Sequence, residues 1–567
     1  MIAFDVETIA RYRACGAWGT QTLYDLLAAR SDAAPDGQAL VDAPNKAVWC
    51  DLPPARWTWR TLRARCDALA WALARGGLRR DDVLLVQLPN VAEFVLLHLA
   101  CARLGVIVSP LHTQQREHEL ARCAAQAQPR AMLSLRRIGK SDQVALLARL
   151  APPCPVLWLE DLCGEPPAPA AEREALLAAQ AARWPVTADD LHTLCWTSGT
   201  EGEPKGVPRS HNNWISVARR IVTGAGLQPG EVLLNPFPLV AVAGLTVLVP
   251  WLLQGGKLVL HQPSDMAVLL QQIRDEGAHY VCIAPALLNR WLLEPGLVAP
   301  GDLATLRTIG SGSGPLDAWT IAEFRRRWNI EIVNFYGSNE GVGLTAGPSR
   351  VPDPAQRAVL FPAAGRAGDA WDDALAAHAR TRLRDPASGR DIDEPGTPGE
   401  LVVQGPTVFP GYWRADAAQQ ARSFTADGYF RTGDMFALEH DPAGRSHYRF
   451  LGRYKDIIVR GGMKISPEEL DALVVGHPLL REAAFCGFRD AVMGEKVGVV
   501  AVPAGERPLV LADITDHLRR QGIAAYKLPE ALVCVDALPR NALNKVLRRE
   551  LRPLFAHVCT TPETETP

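Results

Sequence analysis

The sequence predicts an α/β fold in three parts: a large N-terminal region of parallel sheet with covering helices, a smaller β-rich subdomain, and a C-terminal α+β region. Three observations lead there. The first 150 residues alternate strand-like and helix-like segments, the pattern of a parallel sheet. Between Pro352 and Pro398 the chain is rich in Pro, Asp, Gly and Arg, and short strand-like runs follow at Glu400 to Val403 and Tyr448 to Leu451. Beyond Gly452 strands and helices alternate again. At 567 residues the chain is also too long for one hydrophobic core.

The elements can be justified in order. The N-terminus, MIAFDVETIARYRACGAW, carries charges where an export signal needs an apolar core. Asp82 to Leu88 is a short apolar run suited to a buried strand, and Pro89 stops it. Asn90 is then expected to cap a helix, with Glu93 completing a capping box. That helix should run to about Arg103 and end at Gly105, with Val106 to Val108 opening the next strand. Gly164 to Pro185 is rich in Pro and Ala, and only Glu172 to Ala182 reads as a surface helix. Leu191 to Trp196 is strand-like. Leu239 to Leu253 is an uncharged apolar run between Pro238 and Gln254, shorter than the roughly 20 residues needed to span a bilayer, and is expected in the core. LNKVLRREL near the C-terminus reads as an amphipathic basic helix, and residues 558–567 read as a disordered tail.

Composition excludes several classes. With 48% hydrophobic and 22% charged residues and a net charge of −2, nothing biases the chain as a whole toward nucleic acid or a membrane. The twelve cysteines are scattered, so neither zinc-ligand spacing nor a redox pair is present. Reduced thiols in a cytoplasmic protein are expected.

Thr197 to Val207, TSGTEGEPKGV, concentrates groups that hold phosphates: hydroxyls at Thr197, Ser198 and Thr200, glycines at Gly199, Gly202 and Gly206, and the cation Lys205. Glycine lets backbone N–H groups face an anion, hydroxyls donate to it, and lysine adds a full charge. It is not a Walker A loop, because Pro204 and Gly206 flank the lysine. Farther on, the serines of GSGSG (Gly310 to Gly314) are out of phase with a nucleophile elbow, and Pro315 breaks the dinucleotide fingerprint.

Four further segments join the phosphate motif: NFYGSNE (Asn334 to Glu340), YFRTGD (Tyr429 to Asp434), GRYKDIIVRGGMKISP (Gly452 to Pro467) and LPRNALNKVLRREL (Leu538 to Leu551). In order and approximate spacing the five resemble the adenylate-forming superfamily of acyl-CoA ligases, aryl-acid and peptide-synthetase adenylation domains, and luciferases. GELVVQGPTVFPGYW, from Gly399, is a weaker family-like segment. The N-terminal segment is similar to the aryl-acid and alicyclic-acid ligase subgroups.

That resemblance implies an N-terminal AMP-binding domain over 1–452, a small mobile lid domain over 453–557 and the tail 558–567. It implies ATP, Mg2+ and coenzyme A, or a carrier-protein phosphopantetheine in its place. The reaction would convert a carboxylic acid to an acyl-adenylate with release of pyrophosphate, then to a thioester. Lys545 would be the catalytic cation, Glu340 the magnesium ligand with Thr200 beside it, and Lys205 the partner of the leaving pyrophosphate. Thr197, Ser198, Gly199, Thr200 and Gly202 would form a mobile clamp on the β- and γ-phosphates. Gly312, Tyr336 and Gly337 would line the adenine pocket, Asp434 and Arg453 would hold the ribose, Lys455 would be the hinge, and Gly462 would approach the pantetheine arm.

The sequence departs from the family pattern at Ser313 and Gly314, at Asn544 before the catalytic lysine, and at Glu201 inside the anion loop. In the acyl segment PFPLVAVAG, Ala241 and Val242 stand where aromatic and Asn residues are frequent in relatives. Burying a phenolic hydroxyl against Val242 would cost roughly 1–3 kcal/mol, so an apolar acyl group is expected. An acyl carrier protein stays open as acceptor, as does a nucleotide-binding relative without turnover.

Overall fold

The computed structural model describes the chain except residues 165–168, 199–203, 241, 263–264, 313, 315, 368–370, 372–378, 455, 461–462, 491–492, 506, 522, 524, 541–544 and 557–567, and the side chains of 164, 198, 286, 459, 463, 464 and 494. It divides into two compact units, Met1–Thr381 with Val403–Phe430, and Arg382–Val402 with Arg431–Pro567.

In the first unit, a six-stranded sheet runs in space as Pro204–Ser210, Leu191–Ser198, Ile107–Leu111, Val83–Gln87, Ala131–Ser134 and Val156–Trp158. All pairings are parallel except the first. Val83–Gln87 is buried at every position, as expected for a strand covered on both faces. The following helix, Ala92–Leu104, ends on Gly105 at φ 71°, where the missing Cβ removes the penalty of the left-handed conformation. Its start departs from expectation. Val91 is the N-cap and provides no side-chain bond. Asn90 instead donates to the Asn235 and His261 carbonyls, at 3.0 and 2.8 Å. Glu93 accepts from Lys46 Nζ at 2.6 Å, in a buried group shared with Asp42. A buried ammonium needs paired carboxylates, and that demand outcompeted the local cap.

A second sheet in this unit is eight-stranded: Gly343–Ala346, Glu331–Gly337, Thr308–Gly312, Tyr280–Cys282, Val232–Asn235, Lys257–Leu260, Gln38–Val41 and Arg56–Thr58. Its six inner strands are parallel and its two edges antiparallel. The apolar run forms the helix Val242–Gln254, largely buried as expected. Surface helix Ala170–Arg183 is also present. Among the described residues no helix is long and apolar enough to cross a membrane.

The second unit contains the antiparallel pair Phe430–His440 and Ser446–Arg453 and a sheet built around Leu480–Asp490 and Gly494–Pro503. Alternation divides that sheet into two faces. Phe485, Val497 and Val499 pack with Leu470, Ile514 and Leu518, whereas Cys486, Phe488, Val500 and Val502 pack with Leu551 and Phe555. Among its described residues the basic segment is helical over Arg548–Leu551, so Lys545 precedes the helix rather than sitting in it. Arg540 bridges Val546, and the Leu547 N–H donates to the Pro539 carbonyl at 2.8 Å. Backbone groups used that way cannot start a helix.

Candidate active site

The phosphate motif is a β-hairpin. Leu191–Ser198 extends beyond Trp196, and Pro204–Ser210 returns antiparallel, with Lys205 opposite Thr197 and Gly206 opposite Trp196. A parallel strand leading into a helix places its ligand loop at the strand end; here Thr197 and Lys205 are still within the ladder. Thr197 Oγ1 lies 3.5 Å from the Lys205 carbonyl. Residues 199–203 lie between the two strands and outside the described residues, so Gly199, Thr200 and Gly202 receive no placement, nor does the Ser198 side chain.

Glu340 is buried in a turn after the strand Glu331–Gly337. Its neighbour Gly341 has φ 99°, and a Cβ there would lie 1.8 Å from the Thr407 carbonyl oxygen. The chain segment around Thr407 is tied down at several points. Pro406 accepts from Trp18 Nε1 and Asn213 Nδ2 at 3.0 and 2.8 Å. The Phe409 N–H donates to the Glu340 carbonyl at 2.8 Å, and the Trp413 N–H donates to the Gly206 carbonyl at 2.8 Å. This strap therefore joins the Glu340 turn to the hairpin. Between its anchors, the Tyr412 hydroxyl donates to Glu340 Oε1 at 2.9 Å, and Lys205 Nζ lies 5.1 Å from the Tyr412 ring centroid. Burial, with the nearby Glu340 charge and its hydrogen bond, raises the Tyr412 phenol well above its ordinary value and keeps it a neutral donor.

Asn339 connects three elements. Its Oδ1 accepts from the Val242 N–H at 2.9 Å, its Nδ2 donates to the Trp196 carbonyl at 3.3 Å, and its own carbonyl accepts from Arg209 Nη1 at 2.8 Å. Arg209 is fully buried, with its guanidinium 4.5 Å over the Trp214 ring. Burial brings it down to about 10, Arg220 lowering it further while Cys195 and Glu340 oppose the shift. Sequence reasoning missed both Tyr412 and Arg209. The available signals were a second cation, Arg209, in the strand that continues the phosphate motif and the aromatic pair after FPG.

Gly312 ends the strand Thr308–Gly312 beside Phe335, whose carbonyl oxygen would lie 2.5 Å from an added Cβ. Only glycine fits that approach. Tyr336 is half-buried at the end of the neighbouring strand, 6.2 Å from the Phe361 ring, and Gly337 is the last residue of that strand. Gly312, Tyr336 and Gly337 are thus brought together on paired strands.

In the second unit, Asp434 is the cross-strand partner of Arg453, with Nε 3.6 Å from Oδ1. The register shifts just after Asp434, between Met435 and Phe436, a bulge of the kind that re-aims side chains. The preceding turn is fixed by its own residues. Thr432 Oγ1 donates to the Leu401 carbonyl at 2.7 Å and accepts from the Asp434 N–H at 3.1 Å, and Gly433 takes φ 71°. Lys545 belongs to the same cluster. Desolvation and the Arg453 guanidinium hold its ammonium below the ordinary lysine value, while Asp434 acts in the opposite direction. Lys455, Gly462 and Asn544 lie outside the described residues, as do Ala241 and Glu201.

Residues 27–413 match the family of AMP-binding enzymes, and residues 469–545 match the AMP-binding enzyme C-terminal domain. The chain is 31% identical to a salicylyl-CoA synthase / salicylate adenylyltransferase of Streptomyces sp over 96% of both chains. It is 30% identical to the medium-chain fatty-acid–CoA ligase of Escherichia coli (strain K12), covering 98% of this chain and 95% of the relative. Among solved structures, o-succinylbenzoate coenzyme A synthetase from Bacillus subtilis, in complex with ATP and magnesium ion, superposes with a TM-score of 0.76 at 25% identity. That match covers 94% of this chain and all of the other.

Proposed function

We infer the roles of the site residues from one premise, that this chain belongs to the AMP-binding enzyme family of the adenylate-forming superfamily. It is an AMP-forming acid–thiol ligase, which activates a carboxylic acid with ATP to an acyl-adenylate, releases pyrophosphate, and then forms a thioester with coenzyme A. The convergence of Lys205 and Glu340 on Tyr412 carries the assignment of the first unit. An ammonium and a carboxylate held together in this way suit a triphosphate and its counter-ion.

Lys205 steadies the β- and γ-phosphates and then the leaving pyrophosphate. Glu340 offers one buried carboxylate, the donor set that magnesium takes when phosphate oxygens and water fill its other positions. When bound, the ion neutralises phosphate charge. Tyr336 presents its ring to adenine, and Gly312 and Gly337 leave room for it. Asp434 accepts from the ribose hydroxyls and Arg453 donates beside it.

Lys545 is the catalytic cation. A substrate carboxylate oxygen attacks the α-phosphorus and the bond to the β-phosphate oxygen breaks; an ammonium bridging the two reacting groups lowers their repulsion as negative charge accumulates. In the second step the thiol gives up its proton to solvent, its sulfur attacks the acyl carbonyl, and AMP leaves as the bond from the carbonyl carbon to the phosphate oxygen breaks.

The acyl group is apolar in this reading. Val242 has a hydrocarbon side chain, and its N–H is committed to Asn339, so it has no donor for an ortho-hydroxyl. The test is pyrophosphate exchange across a panel of alkanoic, alicyclic, benzoic and hydroxybenzoic acids. Exchange with apolar acids supports the reading; exchange with hydroxybenzoates alone overturns it. Supplying coenzyme A and a phosphopantetheinylated carrier protein to the activated acid decides the acceptor, and we expect coenzyme A. Lys545→Ala should reduce exchange by about 100-fold or more with ATP affinity, measured by calorimetry, nearly unchanged. Equal loss of both contradicts the catalytic role.

A further inference from the structure

The strap that includes Tyr412 connects two motifs lying far apart in the sequence. Its Phe409 N–H is bonded to the Glu340 carbonyl and its Trp413 N–H to the Gly206 carbonyl, each at 2.8 Å. Both contacts are close, and at Gly341 only glycine fits. A Cβ on Gly341 would meet the Thr407 carbonyl at 1.8 Å, and one on Gly206 would lie 2.9 Å from Leu194 and 3.0 Å from the Trp413 Cβ. The strap is therefore seated closely on both motifs, and Tyr412 sits between them.

Two parts of Tyr412 make two different contacts. The hydroxyl donates to Glu340 Oε1 at 2.9 Å, fixing one carboxylate oxygen and leaving the carboxylate's second oxygen for another partner. The ring face lies 5.1 Å from Lys205 Nζ, a distance at which the aromatic quadrupole attracts a cation. A tyrosine serving only to fill space would need neither contact.

We propose that Tyr412 is a positioning residue for adenylation, its hydroxyl orienting Glu340 for the divalent cation and its ring orienting Lys205 for the terminal phosphates. The proposal rests on the roles given above to Glu340 and Lys205. It makes the two contacts chemically separable, since Tyr412→Phe removes the hydroxyl and keeps the ring, whereas Tyr412→Leu removes both.

The experiment measures pyrophosphate exchange in the full-length enzyme as a function of free Mg2+ and, separately, of ATP at saturating Mg2+. Calorimetric titration of ATP with and without Mg2+ reads the same two dependences as binding, apart from turnover, and thermal melts confirm that each variant is folded. Tyr412→Phe should raise the Mg2+ concentration for half-maximal exchange about tenfold, the scale of one hydrogen bond to a charged group, with KM for ATP at saturating Mg2+ within about twofold. Tyr412→Leu should add a rise of about threefold or more in that KM, the scale of one cation–π contact. Tyr412→Trp, which keeps an aromatic face, should recover the ATP term and not the Mg2+ term. A Tyr412→Phe enzyme with unchanged Mg2+ dependence overturns the proposal, as does a Tyr412→Leu enzyme whose KM for ATP matches that of Tyr412→Phe. Glu340→Gln and Lys205→Met separate this from failure of the underlying site. If they leave the Mg2+ and ATP dependences unchanged, the site assignment fails and takes the Tyr412 proposal with it. If they shift while the Tyr412 variants do not, only the Tyr412 proposal fails.

Discussion

At the scale of single residues, the site depends on positions where no other side chain fits. Gly341 is the sharpest case, because its φ of 99° and the Thr407 carbonyl 1.8 Å from a would-be Cβ penalise substitution twice. Gly341→Ala should cost about 2 kcal/mol or more in a denaturant melt, and it should weaken Mg2+ activation because Glu340 is its chain neighbour. A stability change below about 0.5 kcal/mol would show that the turn adapts. Lys205 stood out in the sequence by its setting among hydroxyls and glycines, whereas Glu340, Asp434 and Arg453 were singled out only by the resemblance of their motifs to the adenylate-forming superfamily. Tyr412 and Arg209 were not. Each acts on a motif residue distant in the chain, and one sequence contains no sign of which distant residue a side chain will meet.

Among elements, the strands and most helices followed from apolar patterning, while the errors came from tertiary competition. Asn90 and Glu93 fit a capping box locally, yet the buried Lys46 ammonium recruited Glu93 and two carbonyls recruited Asn90. The hairpin motif read as a loop because its hydroxyls and glycines conceal the ladder continuing to Ser198. At the base of that hairpin lies a buried histidine group. His98 Nδ1 is 3.3 Å from His192 Nε2, and the His192 and His211 rings stack at 5.0 Å. Burial pushes His98 and His211 down to about 4 and His192 lower than its ordinary value, with Asp190 and Asp25 raising His211 and the N-terminal ammonium lowering it. The unfolded chain binds protons at these histidines near pH 6.5 and the folded chain does not. The stability they contribute is thus complete above pH 6.5 and is lost as pH falls toward about 4. His98→Gln should flatten this acid loss by about 2 kcal/mol, read from urea melts at pH 7 and pH 5. An unchanged slope would remove His98 as a cause.

For the whole molecule, the groups divide by unit. Lys205, Glu340, Tyr336 and Gly312 belong to the first, and Asp434, Arg453 and Lys545 to the second. Each set was readable from sequence, since it follows motifs; the strap between motifs within the first unit was not, since it is defined by packing. We propose that Lys455 is a hinge and that it serves the second half-reaction. Lys455→Pro, which restricts the backbone, should leave pyrophosphate exchange within about threefold and slow thioester formation by about 100-fold. Equal slowing of both steps would remove the hinge role. The Asp434–Arg453 pair also has a practical consequence. Asp434 and Arg453 lie at the open end of a hairpin whose far end closes on itself: Asp441 exchanges backbone bonds with Gly444 and Arg445, and its carboxylate accepts from the Ala443 and Arg445 N–H groups at 2.9 Å. Exposed Ala443, at that closed end, is therefore a natural attachment point for a fluorophore that leaves the Asp434–Arg453 pair chemically untouched.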